Sequence, residues 1–71
     1  MNGNELLKKV KKLGKQNKIV VRFETKRGKG SHGTLYYGNR KTILKDRKKE
    51  IGPGLLGKML AELGIEKTDI E

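Results

Sequence analysis

The chain has 71 residues, 32% of them hydrophobic and three of them aromatic, so it supports one small domain over residues 1–71 with a thin core and no large substrate cavity. It has no cysteine, which excludes a disulfide framework and thiolate metal sites and suits a reducing interior, and it has no apolar run long enough for a signal peptide or a membrane span. The formal net charge of +10 points to a polyanionic ligand, and the expected setting is the cytoplasm.

In chain order, Leu6, Leu7, Val10 and Leu13 recur at helical spacing behind Asn4, an N-cap residue type, with Glu5 in the first turn. This predicts a first helix from about Asn4 to Gln16 with a lysine-rich outer face. The stretch KIVVRFE is β-branched and aromatic, with Ile19, Val21 and Phe23 on one face and Val20, Arg22 and Glu24 on the other, which predicts a strand. TKRGKG turns the chain, and SHGTLYY is a second strand. Gly38-Asn39 is a two-residue hairpin signal leading into RKTILK, the third strand. A strict two-residue hairpin pairs Leu35 with Thr42 and puts Leu35, Tyr37 and Leu44 on one face, leaving Ile43 beside Thr34 on the other unless a bulge shifts the register.

After the charged connection DRKKEIG, Pro53 suits a first helical position, and Leu55, Leu56, Met59, Leu60 and Leu63 form one apolar stripe that Gly64 terminates. The acidic tail, residues 65–71, either frays or adds a short turn. The order α-β-β-β-α gives an α+β two-layer sandwich, a three-stranded antiparallel sheet with both helices on one face and the other face open.

Charge is unevenly spread. Residues 1–49 carry sixteen Lys/Arg against three acids, a net of +13, and residues 50–71 carry two against five, a net of −3. Alternation along the second strand puts His32, Thr34 and Tyr36 on the open face, with Lys26, Arg27 and Lys29 in the preceding turn and Lys41 and Lys45 on the next strand. His32 is the only histidine, and an imidazole differs from a lysine in exchanging a proton near neutral pH. The competing reading is a solvated histidine with no chemistry. Gly28 and Gly30 admit two readings as well: backbone N–H groups that approach a phosphate, or positive-φ turn geometry alone.

The stretch KGSH in a small basic domain, followed by a hairpin and then by IGPGLLGKMLAELGI, resembles the HicA family of toxin ribonucleases over almost the whole chain. The resemblance implies a fold like that of the double-stranded-RNA-binding domain. It also implies messenger RNA cleavage through one histidine in a Gly-Ser-His motif, here Gly30, Ser31 and His32, and inhibition by a HicB-type antitoxin. Directly after the histidine this chain has Gly33, where the family often has a bulkier residue.

The chemistry follows from the substrate. RNA carries its own nucleophile, the 2′-hydroxyl, so cleavage needs a base to remove that proton and cations to stabilise the charged phosphorane. His32 fits the first role and Lys26, Arg27, Lys29, Lys41 and Lys45 the second, with Gly30 and Ser31 lining the site. Products would be a 2′,3′-cyclic phosphate and a 5′-hydroxyl. Metal-assisted cleavage asks for clustered carboxylates, and Glu24 and Asp46 are the only acids in residues 6–49, so no metal or other cofactor is expected. The expected partners are RNA and an acidic antitoxin protein that covers His32 and its lysines. The alternative function is a non-catalytic double-stranded RNA-binding module; a lysine cluster at the start of the second helix would favour it, but Lys58 stands alone there. A ribosome-associated or chaperone-like basic protein is a third reading, which gives His32 no role.

Overall fold

A computed structural model describes residues 1–25 and 32–70. Helix α1 spans Gly3–Asn17. Its cap is Asn2 rather than Asn4: the Asn2 Oδ1 accepts the Glu5 N–H at 2.9 Å, and the Glu5 Oε1 accepts the Asn2 N–H at 3.3 Å. Glu5 stands three residues after Asn2, the spacing at which two otherwise unpaired donors satisfy each other, whereas Asn4 has no glutamate or glutamine at that offset. The Asn4 N–H donates instead to the Arg47 carbonyl at 3.0 Å. Leu6, Val10, Leu13 and Gly14 form the buried stripe, and Lys18 ends the helix in the left-handed conformation at φ 58°.

Strands β1 (Val21–Thr25), β2 (Gly33–Tyr37) and β3 (Arg40–Leu44) form one antiparallel sheet in the order β1-β2-β3. Gly38 has φ +63° and Asn39 does not have positive φ, the type II′ pattern in which glycine takes the first central position. That turn matches the twist of the flanking strands, and the strict register holds without a bulge: Leu35 faces Thr42 and Thr34 faces Ile43. Thr42 therefore occupies a core-facing position, 3% exposed, and its hydroxyl donates to the Glu62 carboxylate at 2.6 Å. Burying a hydroxyl is tolerable when it is hydrogen-bonded, and this one is.

Helix α2 spans Pro53–Leu63, with Pro53 in the first turn and Gly64 as a left-handed C-cap at φ 70°. Leu56, Met59, Leu60 and Leu63 are buried, but Leu55 is 53% exposed and does not join the stripe. The reason is angular: Leu55 lies about 100° around the helix from Leu56, and the buried arc is already filled by residues three and four apart. Beyond it a short 3₁₀ turn covers Lys67–Asp69, and Ile65 and Ile70 tuck into the core on either side of it. Of the two readings for the tail, the short turn is the one observed.

Both helices cover the face that carries Leu35, Tyr37 and Leu44, α1 against β1 and β2 and α2 against β3. The chain start is tied to the segment after β3: Asn2 bridges Glu50, the Ile51 N–H donates to the Met1 carbonyl at 2.8 Å, and Glu50 takes the Met1 ammonium. The element order is thus α-β-β-β-α with one sheet face open, as the sequence predicts. Among the described residues no helix is long and apolar enough to cross a membrane.

Candidate nucleic-acid interface

Alternation and register together assign the open face. Arg22 stands opposite Tyr36, and Tyr36 opposite Lys41, giving one cross-strand row; Glu24, Thr34 and Ile43 give the next. Arg22, Glu24, Lys41 and Ile43 are exposed and Thr34 and Tyr36 half-buried, in contrast with buried Leu35 and Tyr37 on the helix side. The Arg22 guanidinium lies over the Tyr36 ring at 4.5 Å, and its Nη1 donates to the Glu24 Oε2 at 2.9 Å. The cation–π contact is worth about 0.5–1 kcal/mol at an exposed site and fixes the guanidinium in place. Lys41 and Lys45 are exposed and make no ion pair among the described residues.

His32 is exposed and stands immediately before β2, outside the paired stretch. The last ladder pair at this end is Gly33 with Leu44, so one further step along each strand holds His32 and Lys45. By alternation both belong to the side of Thr34, Tyr36, Lys41 and Ile43. Within the ladder the structure places Lys41 on that face beside Tyr36 and Arg22, and the exposed His32 and Lys45 flank its end. Lys26, Arg27, Lys29, Gly30 and Ser31 lie outside the described residues.

What holds the start of β2 is on the opposite face. A Cβ built on Gly33 would lie 2.5 Å from the Phe23 Cζ and 2.8 Å from the Glu24 carbonyl oxygen, so the Phe23 ring covers the space that a side chain at 33 would fill. The Arg47 guanidinium lies 5.0 Å from the centre of that ring. Gly33, Phe23 and Arg47 form a stack under the strand that begins after His32, and the glycine after the histidine has a packing reason.

Sequence reasoning missed Arg22 and Tyr36 as a pair, and it missed Phe23 and Arg47 as supports. That Arg22 and Tyr36 share the open face follows from alternation, but their pairing depends on the β1–β2 register, which the Gly38-Asn39 turn does not fix. The support stack had no sequence signal, since Arg47 comes from a segment without periodicity. Among the described residues, no group of three His, Asp or Glu side chains converges as a metal site would require. No protein-family model, no curated protein and no solved structure matches the chain.

Proposed function

We propose that the chain is a HicA-type endoribonuclease, a toxin that cleaves messenger RNA in the cytoplasm and is held inactive by an acidic HicB-type antitoxin. The observation that supports the reading is the location of the only histidine: exposed, immediately before β2, beside Lys45 at the end of a sheet whose open face presents Lys41 and Arg22. In this reading the His32 imidazole takes the proton of a 2′-hydroxyl. The freed oxygen attacks the adjacent phosphorus, the bond to the 5′ oxygen breaks, and the departing 5′ oxygen takes up a proton. Lys41 and Lys45 offset the charge that accumulates on the phosphorane oxygens. Arg22, already ordered by Tyr36 and Glu24, meets the RNA backbone at lower entropic cost than a free side chain would.

The test is cleavage of a defined RNA by the wild type, His32→Ala and His32→Gln, each with and without a chelator. Wild-type cleavage that survives the chelator, with both variants inactive but folded by circular dichroism and still binding RNA, is the expected outcome. An exposed residue outside the ladder contributes well under about 1 kcal/mol to stability, so the fold should persist. Glutamine keeps hydrogen bonding but cannot accept the proton. Full cleavage by folded His32→Ala would refute the catalytic assignment; binding without cleavage by the wild type would leave a non-catalytic RNA-binding module.

A further inference from the structure

Strand β3 is an edge of the sheet: it pairs with β2 alone among the described residues. With a two-residue turn closing at Tyr37 and Arg40, hydrogen-bonded pairs fall at Tyr37/Arg40, Leu35/Thr42 and Gly33/Leu44. Lys41 and Ile43 therefore aim their backbone N–H and C=O groups away from the sheet, as a half-ladder that no described strand pairs with. Natural sheets usually blunt such an edge or cover it. Here it borders a groove of about 220 Å³ between β3 and α2, lined by Ile43, Leu44, Leu55 and Met59 with Lys45 and Lys49 on the rim. Ile43 is 56% and Leu55 53% exposed, two of the three large apolar side chains left so exposed among the described residues. Of the two acids nearby, Glu50 is offset by the Met1 ammonium, whereas Asp46 keeps its charge while accepting the Lys48 N–H at 3.2 Å, so Lys45 and Lys49 leave the rim with a small net positive charge.

We propose that this groove docks an acidic, extended segment of a protein partner, which adds a fourth strand along β3 and places an apolar side chain between Ile43 and Leu55. Backbone pairing with Lys41 and Ile43 supplies the direction, and Lys45 and Lys49 select acidic side chains. A second copy of this chain is the wrong occupant, because two chains of net charge +10 repel each other. The chain's own acidic tail is held elsewhere: the Ile70 carbonyl accepts from the Lys9 Nζ at 3.2 Å, against α1. The docking does not depend on the ribonuclease reading, and it is tested without RNA.

The probe is a labelled nine-residue peptide of alternating glutamate and valine, compared with the same peptide N-methylated along its backbone. The wild-type chain should bind the first about tenfold more tightly than the second, a difference of about 1.4 kcal/mol. Leu55→Asp and Lys49→Glu, both exposed positions, should each weaken the first peptide by a similar factor while circular dichroism stays unchanged. Equal binding of the two peptides, or binding untouched by Leu55→Asp, would mean diffuse attraction to a basic surface and would overturn the proposal. So would a wild-type dimer that Leu55→Asp dissociates, which assigns the groove to a second copy, or a short oligonucleotide whose affinity falls in Leu55→Asp while the peptide's does not.

Discussion

Gly33→Ala would put a methyl group where the packing between β1 and β2 leaves no room for one. The added methyl would lie 2.5 Å from the Phe23 Cζ, 2.8 Å from its Cε1 and 2.8 Å from the Glu24 carbonyl oxygen. Carbon atoms in contact prefer about 3.5–4.0 Å, so the ring must withdraw by about 1 Å, and the ring is flanked by Arg47. The carbonyl belongs to the neighbouring strand and moves only with β1. Overpacking of this kind costs about 1–3 kcal/mol, offset by about 0.4–1 kcal/mol because alanine restricts the unfolded chain more than glycine does. The difference runs up to about 2.6 kcal/mol and centres near about 1.3 kcal/mol, which lowers Tm by about 5–10 °C in a domain of this size. Thermal unfolding followed by circular dichroism measures it, and a cycle with Phe23→Leu isolates the ring. Gly33→Ala should cost at least about 0.5 kcal/mol less when leucine stands at 23, since the smaller side chain leaves room for the methyl. An unchanged Tm in Gly33→Ala, or strict additivity in the cycle, would refute the account of Phe23 as the group that requires a glycine after His32.

Two further outcomes are expected. RNA affinity should fall steeply between low and moderate salt, because each phosphate neutralised by Arg22, Lys41, Lys45 or the lysines of α1 releases condensed counterions; filter binding across a salt series measures the slope, and a flat affinity would remove the basic face as the binding surface. Asn2→Ala should cost about 1 kcal/mol in denaturant unfolding through loss of the cap to the Glu5 N–H, whereas Asn4→Ala should cost much less.

The element order and the open face were legible because they rest on two periods, three to four for Leu6, Val10, Leu13 and Leu56, Met59, Leu60, Leu63, and two for Val21, Phe23 and Leu35, Tyr37. The hairpin register stayed open in the sequence, because the strict register that Gly38-Asn39 favours puts a threonine inside and an isoleucine outside; the structure takes that register. The reason Thr42 is tolerated, the Glu62 carboxylate, is twenty residues away and invisible locally. Leu55 was misread because a stripe counted in sequence is wider than the arc a single sheet face can bury. Asn4 is a cap residue type standing just ahead of the apolar stripe; the decisive signal for the cap is the three-residue spacing from Asn2 to Glu5. In the candidate site, His32, Lys41 and Lys45 came from alternation alone, whereas the Gly33, Phe23 and Arg47 stack joins three segments that no local pattern connects.

The tie between residues 1–4 and 47–51 also shapes how the domain assembles. The β2–β3 hairpin closes across two residues and β1 joins β2 across residues 26–32, so the sheet forms at low loop-closure entropy. The start of α1 must instead find Arg47, Glu50 and Ile51 across most of the chain, and the three strands between them are the ones that pair most locally. Zipping of the sheet therefore precedes that closure along the folding route, and the amino-terminal contacts form on the native side of the transition state. In a chevron plot the loss from Gly3→Ala, whose added methyl would lie 2.7 Å from the Arg47 Cα, then falls on the unfolding limb with the folding limb nearly unmoved, which makes this latch a determinant of the domain's lifetime rather than of its folding speed.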